Sequence, residues 1–221
     1  MAKRTPRHLW GALTVVGLVS SAWGQVGKPQ TAGGVDLVAR LLEVEATPKL
    51  LNAAYKTGAK VALFCANCHG EGGNSPNPDT PNLAGQNKSY LLEQLKQFSE
   101  GRRKNPFMEA MIKALSAEER VGVVLHYAQQ TVAYKPPANA VLADKGREYY
   151  NKICIRCHGD QGRGDEKVAR IAGQQPGYLT LTLKRYRDGS AVRSDSLMAA
   201  NTKSMTDADI TSVVAYVTAM K

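Results

Sequence analysis

Cysteine, histidine and the large aromatic residues are scarce in this sequence of 221 residues. It contains four cysteines, four histidines, three phenylalanines and two tryptophans. Small domains with few large apolar side chains bury a modest core, and they often depend on a staple or a bound group for stability. The composition therefore favours a large bound ligand over a self-sufficient apolar core.

The sequence also lacks an apolar run long enough to span a bilayer comfortably as a helix. The apolar stretch at 9–19 has eleven residues, whereas a transmembrane helix needs about 20. It follows three basic residues and precedes a small-x-small tripeptide at 22–24, which is the layout of a secretory signal. We expect 1–24 to be a signal peptide, cleaved after Gly24, which gives a periplasmic product in a bacterium. An uncleaved anchor with loose membrane association is the alternative.

Acidic residues are fewer than basic ones, 19 against 29, and the formal net charge is +10. Loss of 1–24 removes three positive charges and leaves +7. Nucleic acid is not an expected partner of an exported protein. The charge favours steering toward an acidic protein surface or anionic lipid, and a basic surface that serves solubility is the alternative.

An internal repeat organises the chain. Three pairs of segments match in order: FCANCHG (64–70) with ICIRCHG (153–159), NLAGQNKSYLLEQLKQF (82–98) with RIAGQQPGYLTLTLKRY (170–186), and FMEAMIKALSAEERVGVV (107–124) with LMAANTKSMTDADITSVV (197–214). The offsets are 89, 88 and 90 residues. Solenoid repeats are shorter than this, so the pattern indicates a duplicated domain.

Each repeat has the pattern of a series of helices, and no strand pattern stands out. A helix leads into each Cys-x-x-Cys-His stretch, and a second begins near Tyr90 or Tyr178. A loop that carries a methionine then leads to the last helix, which begins at a capping box. The boxes are formed by Ser116 with Glu119 and by Thr206 with Asp209. We therefore predict an all-α fold of two tandem helical domains.

The domain bounds follow from a linker with tandem prolines at 131–140, which cannot continue a helix. We predict an N-terminal extension at 25–48, a first domain at 49–134 and a second at 135–221. Leucines and a valine at roughly helical spacing predict a short helix in the extension that packs on the first domain. A partner-binding arm is the alternative.

The two Cys-x-x-Cys-His stretches predict two covalently bound haem c groups. Cysteines three apart can add to the two vinyl groups of a haem, and the adjacent histidine then ligates the iron. The predicted residues are Cys65, Cys68 and His69 in the first repeat, and Cys154, Cys157 and His158 in the second. A zinc ribbon would bring its cysteine pairs closer in sequence. A thioredoxin-like pair needs a βαβ context, and a disulfide across two residues of a helix constrains little.

Methionine is the predicted sixth ligand of each iron. His8 lies in the signal, so beyond the two proximal histidines His126 alone remains, and the haems cannot both be bis-His. Met108 and Met198 each lie eight residues before the cap of the last helix of their repeat. A thioether is a soft ligand that favours ferrous iron. Core packing is the alternative role for both methionines.

From about residue 55 to 221 the chain resembles the diheme cytochrome c4 family. The resemblance depends on CANCHGEGGNSPNPDTPNLAGQNKSYLLEQL (65–95), the second Cys-x-x-Cys-His, the second Ala-Gly-Gln and a Met before each last helix. It implies two tandem cytochrome c-like domains, each wrapped around a covalent His/Met haem. It also implies single-electron transfer in the periplasm to a terminal oxidase. We expect a membrane quinol-oxidising complex as the donor and transient electrostatic docking of both partners.

The sequence departs from the family pattern at two positions that matter. The family has a proline before the Ala-Gly-Gln segment in both halves, and its carbonyl orients the proximal histidine; Pro81 fits, but Ala169 stands there in the second repeat. We expect the carbonyl of Ala169 to serve, with a less rigidly held haem. His126 stands where Tyr216 fits the family's tyrosine, and we interpret it as a packing residue.

An electron carrier is the leading hypothesis, since two six-coordinate irons leave no position for a substrate. The alternatives are a diheme peroxidase or an enzyme that oxidises a sulfur compound, and the cytochrome subunit of a dehydrogenase complex. No distal His or Arg arrangement of a peroxidase flanks either motif. Five basic residues are candidate partners of haem propionates, although most are expected to be solvated: Arg102, Arg103, Lys104, Arg185 and Arg187.

Overall fold

The computed structural model describes residue 1 and residues 34–190, 192–193 and 195–221. The predicted signal peptide lies outside the described residues apart from Met1. The helices are α1 (Leu37–Ala46), α2 (Pro48–His69), a 3-10 turn (Glu71–Gly73), α3 (Lys88–Ser99), α4 (Pro106–Ala114), α5 (Ala117–Ala128), α6 (Ala140–Lys152), α7 (Ile155–His158), α8 (Pro176–Arg187), α9 (Ser196–Thr202) and α10 (Asp207–Ala219). No β-strand occurs in these ranges, so the predicted all-α fold is confirmed. None of the described helices has the length and apolar character needed to cross a membrane.

The first repeat, α2 to α5, and the second, α6 to α10, place their helices in the same order. They differ at the Cys-x-x-Cys-His segment. In the first repeat α2 continues through the motif to His69, whereas in the second α6 ends at Lys152 and a separate turn, α7, carries the histidine. The predicted helix that leads into each motif is present. It continues through the whole motif in the first repeat, whereas in the second repeat Cys154 lies between two helices.

Both predicted capping boxes are present. Ser116 accepts a hydrogen bond from the backbone N–H of Glu119, and the Glu119 carboxylate accepts one from the backbone N–H of Ser116. Thr206 and Asp209 form the same pair at the start of α10. These reciprocal bonds satisfy N–H groups that lack helical partners, and they fix where the last helix of each repeat begins.

Each repeat has its own apolar core. The first core includes Leu91 and Val124, and the second includes Leu179 and Val214. The first and last helices of each repeat cross in close contact, α2 with α5 and α6 with α10.

Helix α1, in the N-terminal extension, packs on the first repeat as predicted. Leu41 and Val44 are buried in the first core together with Val121 and Leu125 of α5. The matching positions of α10 are Thr211, which is exposed, and Ala215, which is half-buried. The first repeat thus has an apolar stripe on its last helix that the second lacks, and α1 covers that stripe.

The linker packs between the repeats. Gly85 and Gly173, the glycines of the two Ala-Gly-Gln segments, have φ values of 60° and 70°. A Cβ on either would lie 2.9 Å from a methyl group of Val132, which is buried. Positive φ and this close approach together explain why glycine occurs at both positions.

Candidate haem sites and the interface between them

A cavity of about 1110 Å³ is lined by residues of both repeats. All eight predicted site residues line it: Cys65, Cys68, His69, Met108, Cys154, Cys157, His158 and Met198. Apolar side chains such as Leu91, Phe98 and Leu179 line it as well. The fold therefore brings together, in each repeat, the cysteines, the histidine and the methionine that the sequence separates by about forty residues.

Both motif histidines are buried and held by a backbone carbonyl. His69 Nδ1 lies 2.8 Å from the carbonyl oxygen of Pro81, and His158 Nδ1 lies 2.9 Å from that of Ala169. Because a carbonyl only accepts, Nδ1 carries the proton and Nε2 keeps its lone pair. Burial lowers the pKa of both imidazoles, which favours the neutral ring that ligates a metal. The expectation that Ala169 serves in place of a proline is confirmed.

None of the four cysteines, all of which lie in the described residues, forms a disulfide. Cys65 and Cys154 are half-buried, while Cys68 and Cys157 are exposed. Burial raises the pKa of the Cys65 thiol, and it raises the pKa of Cys154 to about 11. Within the described ranges, no three His, Cys, Asp or Glu side chains cluster as metal ligands. The arrangement supports thioether attachment, and the zinc-ribbon alternative finds no support among these residues.

The predicted methionine-bearing loop is wrong, because Met108 and Met198 lie on the short helices α4 and α9. Both helices begin at side-chain caps. Asn105 and Asp195 each accept a hydrogen bond of 3.0 Å from the backbone N–H of the methionine three residues later. Since the cap and the methionine lie in one turn, this bond fixes where Met108 and Met198 stand on the cavity wall.

The far ends of these helices are held differently. The buried side chain of Arg120 donates to the carbonyl oxygens of Ile112 at 2.7 Å and Leu115 at 3.2 Å. The second repeat has Ile210 at the matching position. There, the hydroxyl of Thr202 donates to the carbonyl oxygen of Met198 at 2.8 Å. Helix α4 is therefore fastened to α5 by an arginine that the second repeat lacks.

Two arginines meet at the cavity where the repeats face each other. Arg103 and Arg193 each donate to the hydroxyl of Tyr178 at 3.1 Å, and Arg193 also donates to the hydroxyl of Tyr90. Burial would raise the pKa of Tyr178, but the positive charges of Arg103 and then Arg193 lower it to about 7. Neither arginine forms a salt bridge within the described residues.

This cluster fits a bound haem. Partly buried positive charge without a carboxylate partner is costly unless an anion compensates it, and a haem brings two carboxylates of its own. The sequence analysis identifies Arg103 as a candidate partner of a haem propionate, but it does not identify Arg193. The repeat could have indicated Arg193, because it lies 90 residues after Arg103, the same offset that relates the segments 107–124 and 197–214. The donor set, the apolar wall and this cluster together fit one haem in each repeat.

Two protein-family models match the chain. The model for cytochrome c matches residues 55–124, and the model for cytochrome c oxidase, cbb3-type, subunit III matches residues 141–217. One match thus falls on each repeat.

Curated relatives cover both repeats together. The chain is 32% identical over 180 residues to a thiosulfate dehydrogenase electron acceptor from Thiomonas intermedia, which covers 76% of this chain and 83% of the relative. It is 32% identical over 174 residues to cytochrome c4 from Thiocapsa roseopersicina, with coverage of 72% and 88%.

A solved structure has the same arrangement. The crystal structure of reduced recombinant cytochrome c4 from Pseudomonas stutzeri superposes with a TM-score of 0.69 at 27% identity, and it covers 76% of this chain and 98% of that one. The resemblance seen in the sequence is confirmed by relatives, by family models and by fold. The chain belongs to the cytochrome c4 family of electron-transfer proteins, with two tandem cytochrome c domains and two covalently bound haem c groups.

Proposed function

We propose that this protein is a periplasmic carrier that passes single electrons through two His/Met-ligated haems, from a quinol-oxidising complex to a terminal oxidase. In the first repeat Cys65 and Cys68 hold the haem, and His69 and Met108 ligate its iron. In the second repeat these roles fall to Cys154, Cys157, His158 and Met198. A haem iron with these ligands supplies a reversible one-electron couple at a raised potential.

One observation carries the proposal. In each repeat a buried histidine, fixed through Nδ1, lines the same cavity as a methionine held on a capped helix. If the histidine and the methionine both ligate the iron of a bound haem, its coordination would be complete and no position for a substrate would remain. The residues that hold the haem thus favour electron transfer over catalysis at the iron.

We also propose that the domain bounds lie at 25–48 for the extension, 49–134 for the first domain and 135–221 for the second. The separate cores of the two repeats support this division. Helix α1 of the extension packs on α5 and adds Leu41 and Val44 to the core of the first domain.

Docking of redox partners follows from charge and from exposed apolar side chains beside the cavity. Phe64, Phe107 and Leu197 are exposed and line the cavity, and Lys60 and Lys104 line it too. Exposed apolar side chains and lysines on the lining of one cavity suit a transient complex with an acidic partner. Because long-range attraction is screened by salt, turnover with a partner oxidase should fall as ionic strength rises. Turnover that stays flat would contradict electrostatic steering.

A second candidate has specific support. The relative from Thiomonas intermedia is named as an electron acceptor of thiosulfate dehydrogenase. Under this alternative the donor is a thiosulfate dehydrogenase. The two donors are separated by mixing the ferric protein with a quinol-oxidising membrane fraction or with thiosulfate dehydrogenase plus thiosulfate, and by comparing the initial rates of haem reduction.

The absorption spectrum of the purified protein tests the ligand assignment. Spectra are taken in the ferric state, after reduction, and after reduction with carbon monoxide. Two closed His/Met haems give low-spin spectra that carbon monoxide does not change, and a weak long-wavelength band in the ferric state. A high-spin component, or a carbon monoxide shift in half of the haem, would mean that one iron is open and would contradict the proposal.

A further inference from the structure

The glutamines of the two Ala-Gly-Gln segments each reach into the other repeat. Gln174 Oε1 accepts a hydrogen bond of 2.7 Å from the backbone N–H of Asn82, and its Nε2 donates to the carbonyl oxygen of Asn82 at 3.0 Å. Gln86 does the same with Arg170, at 2.8 Å for both bonds. Both glutamines are buried. Gln86 and Gln174 are 88 residues apart, and so are Asn82 and Arg170. The same contact is therefore made twice, once in each direction, between equivalent positions of the two repeats.

Each glutamine bonds the peptide that holds the other repeat's histidine. The peptide between Pro81 and Asn82 accepts from His69 Nδ1 through its carbonyl, and it donates to Gln174 through its N–H. A continuous hydrogen-bonded path therefore runs from the imidazole of His69, through one peptide group, to the side chain of Gln174.

The second path is equivalent. The peptide between Ala169 and Arg170 accepts from His158 Nδ1 at 2.9 Å, and it donates to Gln86 at 2.8 Å. The residue before this peptide is alanine in one repeat and proline in the other, yet the arrangement is the same. The peptide group, and not the proline ring, is therefore the part that the two sites share.

We propose that each glutamine is a positioning residue for the haem of the opposite repeat, so that Gln174 tunes the first haem and Gln86 tunes the second. The inference rests on the proposed assignment of His69 and His158 as iron ligands. A peptide whose N–H is bonded to a good acceptor becomes a better acceptor at its carbonyl, because hydrogen bonds in a chain polarise one another. A better acceptor for Nδ1–H makes the imidazole more electron-donating and stabilises ferric iron.

The direction of the effect follows. Loss of Gln174 weakens the bond between His69 and Pro81, and it should raise the reduction potential of the first haem. Loss of Gln86 should raise the potential of the second haem through His158. In each case the haem of the repeat that carries the substitution should keep its reduction potential. A local disturbance would instead change the potential of that haem.

The glutamines could instead serve only to hold the two repeats together. Two neighbouring residues provide matched controls for this alternative. Asn87 and Gln175 follow the two glutamines in the same register. Asn87 Nδ2 donates across the interface to the carbonyl of Val168 at 2.8 Å, and Gln175 Nε2 donates across it to that of Ser75 at 2.5 Å. Gln175 Nε2 also donates to the side-chain oxygen of Asn82 at 3.1 Å, but neither control residue bonds the peptide group that holds a histidine. Their loss should therefore loosen the interface and leave the hydrogen bonds of both peptide groups in place.

The experiment compares Gln86→Leu and Gln174→Leu with Asn87→Leu and Gln175→Leu in the full diheme protein. Two readouts are taken: the two midpoint potentials, from spectroelectrochemical titration, and the imidazole N–H signals of ¹⁵N-histidine-labelled ferrous protein. A His126→Asn variant removes the signal of the third histidine. Gln86→Met and Gln174→Met provide a second pair, since methionine fills a similar volume without a strong acceptor.

Each glutamine substitution is expected to affect the haem of the opposite repeat. Gln174→Leu and Gln174→Met move the His69 N–H signal to higher field and raise one potential; Gln86→Leu and Gln86→Met do the same for His158 and the other potential. The controls should move neither. Changes confined to the substituted repeat, or equal changes in all variants, would overturn the proposal. If neither wild-type imidazole signal differs between the ferric and ferrous states, the histidines are not ligands, and the proposed function fails together with the inference.

Discussion

Gly58 of α2 lies directly against the backbone of Gly122 of α5. A Cβ at Gly58 would lie 2.0 Å from the carbonyl oxygen of Gly122, and the second repeat has the same crossing, where a Cβ at Gly146 would lie 1.9 Å from that of Ser212. His126 also packs at the first crossing, because a Cβ at Gly58 would lie 3.0 Å from the Cβ of His126. Burial lowers the pKa of the His126 imidazole. His126 is absent from the cavity lining, so the interpretation of it as a packing residue is supported.

Replacing Gly58 should destabilise the first repeat. Gly58→Ala would gain about 1 kcal/mol from helix propensity alone, but the clash with the backbone of α5 should reverse the sign. We expect a net loss of about 1–3 kcal/mol, as for overpacked cores, measured by guanidinium unfolding followed by circular dichroism. Ala59→Gly, at the exposed neighbouring position, is the control and should lose about 1 kcal/mol from propensity. A stabilised Gly58→Ala variant would contradict the close crossing.

Truncation of α1 at its buried face should weaken the first repeat. Leu41 is 4% exposed and Leu42 is 62% exposed. Leu41→Ala should cost about 2–5 kcal/mol, because it opens a cavity over α5. Leu42→Ala, one residue away, should change stability by no more than about 0.5 kcal/mol. The free energy of unfolding of both variants is the measurement; equal effects would mean that α1 does not cover the stripe on α5.

Removal of Arg120 should loosen the helix that bears Met108. Arg120→Ile installs the residue of the second repeat and leaves the carbonyls of Ile112 and Leu115 without their buried donor. We expect a loss of about 1–3 kcal/mol, with the ferric Met band disappearing before the helical signal as denaturant is added. Arg147→Ile replaces an arginine whose side chain is 58% exposed, and it should leave both transitions unchanged. Coincident, unshifted transitions in Arg120→Ile would refute the role of this arginine.

Loss of one of the two methionines proposed as iron ligands should affect one haem. Met108→Leu should halve the long-wavelength ferric band and lower the potential of the first haem, since the thioether favours ferrous iron. Met111 also lines the cavity, but Asn201 stands at its matching position in the second repeat. Met111→Leu should therefore leave the band intact. The reverse pattern in the ferric spectrum would exchange the roles of Met108 and Met111.

Much of the fold could be predicted from the sequence because its signals are local. The caps at Ser116 and Thr206 depend on residues three positions apart, and each haem motif spans five residues. The methionines were predicted from register, which the duplication supplied. The break between α6 and α7 was not predicted, since nothing in ICIRCH marks where one helix stops.

The residues that join the repeats could not be predicted in this way. Gln174 and Asn82 are 92 positions apart, and Arg193 and Tyr90 are 103 apart. The repeated Ala-Gly-Gln segment showed that the glutamine recurs, but it did not indicate that each side chain serves the opposite repeat.

By itself, the sequence determined the all-α fold, the first and last helices of each repeat, the two haem attachment motifs and the family, because short-range spacing and duplication encode them. Only the tertiary structure decided which repeat each glutamine serves, where Arg103 and Arg193 meet, and which face of α1 is buried. Those outcomes depend on how two folded repeats pack against each other, and packing is set by the shapes of whole surfaces rather than by neighbours in the chain.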